Sequence, residues 1–138
     1  MKRYIGTKII QAEIAANPKD GVEGYRVVYA DGYTSWSPRQ AFDEAYRPCE
    51  AMTFGLALEA LKKGCRVART GWNGAGQFVY LVPANSYPAQ TAIAKAHFGA
   101  DATVPYRAYL ALKTAQGDVA TWAPSCSDAL AEDWQIVE

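Results

Sequence analysis

Short β-prone runs separated by glycine-containing turns constrain the fold of this chain more than any other feature. The run YRVVYADGYTSW, Tyr25 to Trp36, has Asp31-Gly32 at its centre. Glycine readily adopts the positive φ that a tight turn requires, so this run predicts an antiparallel hairpin. Gln116-Gly117-Asp118 lies between two later apolar runs and predicts another hairpin. A sheet built from hairpins is antiparallel at least in part.

One amphipathic helix is predicted to pack on this sheet. In MTFGLALEALKKG, Thr53 can cap the N-terminus and Gly64 can end the last turn. The apolar face of this helix consists of Phe54, Leu58 and Leu61. Besides the first hairpin, strands are predicted at Lys8–Ala16, Cys65–Thr70, Phe78–Val82, Tyr106–Thr114, Val119–Trp122 and Trp134–Val137. The expected class is α+β, an antiparallel sheet packed on a short amphipathic helix and preceded by a small β-rich N-terminal region.

The chain is predicted to contain two regions, residues 1–48 and 52–138, with the boundary near Pro48. The first region holds so few aliphatic side chains that its own core is expected to be marginal. It is therefore predicted to pack on the rest of the chain or on another subunit. In the second region, PAQTAIAKAHF, residues 88–98, favours a helix inserted in a surface loop and ended by Gly99.

Two shorter helical segments are also predicted. In SPRQ, Ser37 is placed to cap a helix that has Pro38 at its first position and Gln40 reaching back to the cap. That helix ends by Tyr46, because a proline follows closely. Ser127 to Asp133 favours one or two helical turns before the last strand.

Charge and composition argue against several classes of partner. The 138 residues include 14 basic and 14 acidic side chains, whereas proteins that track DNA or long RNA usually carry a basic excess. No apolar run approaches the ~20 residues of a membrane span, and no signal peptide is recognisable, which predicts a soluble cytoplasmic protein. Cys49, Cys65 and Cys126 lack the paired spacing of a zinc site, so no metal and no cofactor are expected.

Two long stretches carry several separated motifs in a fixed order: MTFGLALEALKKGCRVARTGWNG and YLALKTAQGDVATWAPSCSDALAEDWQIVE. Together they resemble the second Thoeris anti-defence family of small phage proteins, from Met52 to Glu138. YIGTK and SWSPRQAFDEAYRP resemble a region that precedes this domain in some phage proteins.

The resemblance implies a sponge that captures glycocyclic ADP-ribose, the nucleotide messenger of bacterial Thoeris immunity, without cleaving it. It also implies a homotetramer with ligand pockets at subunit interfaces, acting in the cytoplasm of the infected host. Some relatives trap cyclic dinucleotides, which extends the expected inhibition to the effectors of CBASS immunity.

The chemistry of such a messenger selects candidate residues. A cyclic ADP-ribose presents an adenine face and a pyrophosphate, so its site needs flat aromatic surface and hydrogen-bond donors. Trp72 and Trp122 suit the first need, and the resemblance places both in the ligand pocket. Arg69 and Arg66 suit the second, but residues three apart lie on opposite faces of a regular strand, so at most one faces the ligand. The family pattern favours Arg69.

Further candidates lie in the loops that follow the two tryptophans. Backbone N–H groups near Gly71 and Gly74 are predicted to bind anionic oxygens. Ribose hydroxyls and adenine edges are predicted to meet Asn73, Ser125, Ser127 and Asp128.

Several of these residues have a purely structural alternative. Trp72 is either a ligand platform or an ordinary core residue, and Asp128 either binds ligand or caps a helical turn. Trp134 alternates with Ile136 and is predicted to pack in the core or an interface. Trp36 is predicted to close the N-terminal hairpin.

Two other function classes compete with the sponge. An enzyme that degrades the messenger is one, with acid–base work by Glu132, Asp133 and Asp128. No nucleophile-elbow or phosphate-loop pattern accompanies these carboxylates, which disfavours catalysis. A phage protein-interaction module is the other, with the aromatic side chains of the N-terminal hairpin as its contact surface.

Overall fold

A computed structural model describes all 138 residues, which form two compact units, Met1–Pro48 and Cys49–Glu138. The expected α+β class is confirmed, because four short helices accompany sheets in which every strand pairing is antiparallel. None of the helices has the length and apolar character needed to cross a lipid bilayer.

The first unit is a three-stranded meander followed by one helix. Its elements are β1 (Gln11–Ala16), β2 (Glu23–Val28), β3 (Thr34–Pro38) and α1 (Arg39–Ala45). The hairpin predicted around Gly32 is confirmed: this glycine has a φ of 88°, and Tyr29 N–H donates to the Tyr33 carbonyl at 2.9 Å. The first strand begins at Gln11 and not at Lys8.

Trp36 closes the meander by reaching across β2. Its Nε1 donates to the Ala15 carbonyl of β1 at 2.9 Å, which confirms its predicted role. The indole lies against Gly24 of β2, where an added Cβ would be only 2.5 Å from Trp36 Cζ2 and closer still to the Ser37 carbonyl oxygen. The missing side chain at position 24 therefore makes room for the indole.

The predicted Ser37 cap is wrong. Ser37 lies in β3, α1 begins at Arg39, and no side chain caps this helix. Pro38 keeps an extended conformation, with φ −56° and ψ 144°, so the strand continues through the position predicted to open the helix. Gln40 does not reach back; its amide donates to the Glu44 carboxylate one turn later, at 3.1 Å.

The first unit has a very small core. Val27 is its only buried apolar side chain, with 1% exposure. Helix α1 attaches to the sheet mainly through Phe42, whose ring stacks on Tyr25 with centroids 4.0 Å apart. The unit therefore depends on a few aromatic contacts where a larger domain has an aliphatic core.

The second unit packs one helix on a five-stranded antiparallel sheet with the strand order β10-β4-β5-β8-β9. Its elements are α2 (Phe54–Lys62), β4 (Arg66–Arg69), β5 (Phe78–Val82), β6 (Asn85–Pro88), α3 (Ala92–Phe98), β7 (Thr103–Tyr106), β8 (Tyr109–Lys113), β9 (Val119–Trp122), α4 (Cys126–Leu130) and β10 (Trp134–Val137). The bounds of β5, β9 and β10 agree with the sequence prediction.

The amphipathic helix and its end signals are confirmed. Thr53 Oγ1 accepts the Leu56 N–H at 3.4 Å, and Gly64 has a φ of 90° after the last turn. Leu61 of the predicted apolar face is fully buried. The other fully buried large side chains of this unit are Val67, Val79 and Trp134, which confirms the core position predicted for Trp134.

The strand predicted from Tyr106 to Thr114 is in fact two strands that belong to different sheets. β7 ends at Tyr106 and pairs with β6, whereas β8 begins at Tyr109 and pairs with β5. Strand β6 was missed because Asn and Pro are poor strand formers, and its pairing is supported by the edge contact of Tyr87 with Tyr106. Local propensity therefore gave no indication of this ribbon.

The predicted inserted helix is real but shorter. It begins at Ala92, where Thr91 Oγ1 accepts the Ala94 N–H at 3.1 Å, and it ends before Gly99, which has a φ of 114°. Pro88 belongs to β6 and not to the helix. The helix and the β6–β7 ribbon form one excursion between the central strands β5 and β8.

The fit of Trp36 over position 24 gives a test of the first unit. We expect Gly24→Ala to lower the stability of the meander by about 1–3 kcal/mol, because the new methyl group would displace the indole and the facing carbonyl. Hydrogen exchange of the β1 and β2 amides measures this, with the α2 amides as internal reference. Gly6→Ala is the control, since a Cβ there meets nothing within 4 Å. Equal exchange in both variants would contradict the proposed fit.

Candidate functional site

An open cleft with a volume of about 240 Å³ lies beside the loop that joins β4 to β5. Its lining consists of Trp72, Asn73, Gln77, Leu112 and Trp122. The first three belong to the loop, Leu112 lies on β8, and Trp122 ends β9. The lining therefore contains two indoles, one aliphatic side chain and two amides, with no ionised side chain.

Trp72 both packs on the core and lines the cleft. Its ring makes edge contacts with Trp134, at a centroid distance of 5.4 Å, and with Trp122, at 6.2 Å. We call these three residues the tryptophan cluster; Trp134 is fully buried and the other two are partly exposed. The core reading of Trp72 is thus confirmed in part, and its ligand contact stays a prediction.

The loop that carries Trp72 and Asn73 is shaped by glycines and fastened by Gln77. Gly74 and Gly76 have φ values of 96° and 78°. The Gln77 amide donates to the carbonyls of Asn73 and Gly74. Gln77 and Leu112 were not predicted as site residues, because a single amide before a strand and a single leucine within one carry no local pattern.

Asp128 accepts hydrogen bonds from three other parts of the unit. Its Oδ1 accepts Arg69 Nη1 at 3.0 Å and Trp72 Nε1 at 3.4 Å. Its Oδ2 accepts the Ser125 N–H at 3.1 Å, and Ser125 Oγ accepts the Asp128 N–H, so the two residues form the capping box of α4. The capping alternative for Asp128 is confirmed, and the carboxylate also holds the Trp72 indole.

Asp133 anchors the beginning of the same loop. Its Oδ1 accepts Arg69 Nε at 2.8 Å, and its Oδ2 accepts the Gly71 N–H at 2.9 Å. The backbone carbonyl of Asp133 accepts the Thr70 N–H at 3.0 Å. The prediction that the Gly71 N–H is available for an anion is therefore wrong, because this donor is already used within the chain.

The two arginines have different surroundings. Arg69 bridges the carboxylates of Asp128 and Asp133 through Nη1 and Nε, which leaves Nη2 without an intramolecular hydrogen bond. Arg66 is exposed and lies 5.0 Å from the centroid of the Phe78 ring. Residues three apart on β4 point to opposite faces, and only Arg69 reaches the network that holds Trp72.

The network keeps both of its carboxylates ionised. Hydrogen bonding to Arg69 lowers the pKa of Asp133. Burial alone would raise the pKa of Asp128, but the hydrogen bonds from Ser125, Arg69 and Trp72 together lower it. Bonding to Asp133 and Asp128 raises the pKa of the Arg69 guanidinium. The positive charge of Arg69 is thus shared between two negative charges, beside a neutral cleft.

The predicted site residues therefore fall into two groups. Trp72, Trp122 and Asn73 line the cleft, whereas Arg69, Ser125 and Asp128 form a hydrogen-bonded network that meets the cleft at Trp72. Ser127 is exposed on α4, and its side chain makes none of the hydrogen bonds of this network. No group of three or more His, Cys, Asp or Glu side chains is placed to hold a metal ion.

The lowered carboxyl pKa values predict how stability depends on pH. Stabilisation by Asp133 is fully present above its unfolded-state pKa of about 3.9 and is lost as the pH falls through the lower folded-state pKa. We expect the melting temperature to be flat from about pH 7 to 5 and to fall below about pH 4, with a smaller fall in Asp133→Asn. Thermal denaturation from about pH 7 down to about pH 2 measures the effect. Glu132→Gln is the control because Glu132 makes no ion pair, and identical profiles in both variants would contradict the assignment.

The second unit also matches known proteins. Residues 52–137 match the family described as the Thoeris anti-defense 2-like domain. The chain is 39% identical over 87 residues to a protein named Thoeris anti-defense 2 of Bacillus phage SP01, an alignment that covers 62% of this chain and 94% of that protein. Both matches agree with the resemblance carried by the motifs from Met52 onward. Because the family match spans more than half of the sequence, the chain belongs to the Thoeris anti-defense 2-like family.

Proposed function

We propose that this protein opposes Thoeris immunity in the cytoplasm of the infected host by binding a cyclic nucleotide messenger and holding it intact. The messenger proposed is glycocyclic ADP-ribose, with cyclic dinucleotides as a further class of ligand. The observation that carries the proposal is the cleft between Trp72 and Trp122, which lies in the unit that matches the family.

The cleft supports this ligand chemistry. An indole offers a flat apolar face on which any nucleobase can stack. The side chain of Asn73 supplies both a donor and an acceptor beside the indoles, which suits a ribose hydroxyl or a base edge. The free Nη2 of Arg69 lies 4.0 Å from the position that a Cβ of Gly71 would occupy, in the loop that carries Trp72, and its N–H donors suit a phosphate oxygen.

Stacking alone is too weak for a sponge. Two base contacts supply about 2–6 kcal/mol at about 1–3 kcal/mol each, whereas nanomolar sequestration needs about 12 kcal/mol. The remainder has to come from polar contacts and from walls that are already ordered before the ligand arrives. The fastened loop and the hydrogen-bonded Trp72 indole are walls of this kind.

The size of the cleft favours an assembly. Pockets for small organic ligands usually enclose about 300–1,000 Å³. The cleft of a single chain is smaller, about 240 Å³, and open. We therefore propose that a second copy completes the site within a homotetramer, as the family resemblance implies.

Binding without cleavage is favoured over catalysis. A general base that works near neutral pH needs a pKa close to that pH. Asp128 and Asp133 have pKa values lowered below the ordinary carboxyl value, and both bond to Arg69. Glu132 is exposed and has no hydrogen-bonding partner within the chain that would activate it.

The proposal is tested by titrating the purified protein with glycocyclic ADP-ribose in a calorimeter, heating the complex and identifying the released nucleotide. Recovery of intact messenger after tight binding supports a sponge, and altered messenger would mean an enzyme. Absence of binding to this messenger and to cyclic dinucleotides would favour the interaction module, since the first unit exposes Ile14 and Tyr33 to 59% and 65%.

The two indoles of the cleft give the mutational test. We expect Trp72→Ala and Trp122→Ala each to weaken messenger binding by about 1–3 kcal/mol, roughly 5- to 150-fold in Kd, because each removes one stacking face. Calorimetry measures the loss, and cooperative thermal unfolding verifies that the fold persists. Tyr33→Ala removes an exposed aromatic ring from the first unit and serves as the control. Affinities equal to that of the control would show that neither tryptophan contacts the messenger.

A further inference from the structure

We infer that Asp128 is a positioning residue, which acts on the ligand only through Trp72. Its carboxylate fixes the indole in the orientation that lines the cleft, and Arg69 holds that carboxylate in place. The inference rests on the proposed function for the identity of the ligand. The hydrogen bond that orients the Trp72 indole is present in the ligand-free protein, so it can be tested without the messenger.

The hydrogen bond to Asp128 determines which way the Trp72 ring faces. An indole has a single N–H donor, so a bond to that atom distinguishes one ring orientation from its flipped counterpart. The edge contacts with Trp122 and Trp134 restrain the plane of the ring but engage no polar atom. The bond from Trp72 Nε1 to Asp128 Oδ1 supplies the missing restraint.

Asp128 is itself held from several directions. Arg69 Nη1 and the Ser125 N–H bond its two carboxylate oxygens, and Trp134 Nε1 donates to its backbone carbonyl at 2.8 Å. Trp134 is fully buried, so this last bond ties α4 to the core. A carboxylate restrained in this way can restrain the Trp72 indole in turn.

The backbone of Trp72 is held by the same arginine. The Trp72 N–H donates to the Arg69 carbonyl at 3.2 Å, and Arg69 Nε bonds Asp133, which also accepts the Gly71 N–H. Arg69 therefore connects the restraint on the main chain at position 72 with the restraint on the indole. Asp128 thus restrains the indole of Trp72, and Asp133 restrains the main chain beside it through Arg69 and Gly71.

Asp128 is badly placed to meet the ligand itself. Its side chain is only 15% exposed, and it does not contribute to the lining of the cleft. Both carboxylate oxygens already accept hydrogen bonds from donors of the protein. A molecule in the cleft therefore meets the indoles of Trp72 and Trp122. Asp128 meets only the N–H edge of the Trp72 indole.

A double-mutant cycle between Asp128 and Trp72 tests the inference. Asp128→Ala removes the acceptor, and Trp72→Phe removes the N–H donor while it keeps an aromatic face. We expect Asp128→Ala alone to raise the Kd for glycocyclic ADP-ribose at least 10-fold, and to change it less than 2-fold in the Trp72→Phe background. Asp128→Asn, which keeps an oxygen for the indole, should recover most of the affinity.

The ligand-free proteins give a second readout that does not depend on the messenger. In a Trp36→Phe background, all tryptophan emission comes from the tryptophan cluster. We expect Asp128→Ala to alter the near-ultraviolet circular dichroism of the cluster and to increase quenching by acrylamide, because the Trp72 ring loses its fixed orientation. Asp128→Asn should resemble the parent protein. Thr91→Ala, which removes the cap of α3, is matched for loss of a helix cap and should leave the dichroism of the cluster unchanged.

Three results would overturn the inference. An equal loss of affinity on Asp128→Ala in both Trp72 backgrounds would mean direct ligand contact or a general effect of the α4 cap. Unchanged dichroism and quenching in Asp128→Ala would show that packing alone orients the ring. If Asp128→Ala does not fold, unaltered spectra in Arg69→Met, which removes the charge that holds the carboxylate, would overturn the inference instead.

If the parent protein binds no messenger, the proposed function fails, and the spectra still decide what holds Trp72.

Discussion

The burial of Trp134 connects several parts of the second unit that are distant in sequence. Its backbone N–H and carbonyl pair with those of Met52, so the first residue matched to the family is joined to the last strand. Its Nε1 donates to the Asp128 carbonyl, and its ring contacts Phe54 of the main helix and Trp72 of the cleft. A buried indole is favourable only if its N–H has a partner, which links formation of the core to the position of α4.

The second constraint is the sharing of charge around Arg69. The Arg69 side chain is partly exposed, at 22%, and its guanidinium makes two charge-assisted hydrogen bonds, one to Asp128 and one to Asp133. The pairing fixes two segments that are distant in sequence, the β4–β5 loop and the chain around α4. The carboxylates of both aspartates accept hydrogen bonds from Arg69 and from the β4–β5 loop. The neutral, aromatic cleft therefore lies beside a rigid ionic network. Such rigidity favours the proposed binding of a messenger, because ordering loops on binding reduces affinity.

The first unit is built on a different principle. It has a single buried aliphatic side chain, Val27, and its meander is closed by an indole that lies over a glycine. Its residues precede the segment that matches the family, 52–137. The β6–α3–β7 excursion lies inside that segment, and its helix exposes Ile93 to 84%. Neither the first unit nor the excursion contributes a residue to the lining of the cleft.

The sequence by itself determined the elements that depend on neighbours in the chain. The Asp-Gly turn, the capped helix α2 and strands β5, β9 and β10 follow from periodicity, capping and the conformational freedom of glycine, all of which act over a few residues. The core position of Trp134 and the pairing of Trp72 with Trp122 as candidate site residues were also predicted.

Tertiary structure alone decided that Pro38 stays extended, that β6 pairs with β7, and that Gln77 and Leu112 complete the cleft. It also decided that Asp128 and Asp133, 59 and 64 residues beyond Arg69, meet it. Such contacts depend on how strands and loops pack in three dimensions, and no local pattern specifies that packing.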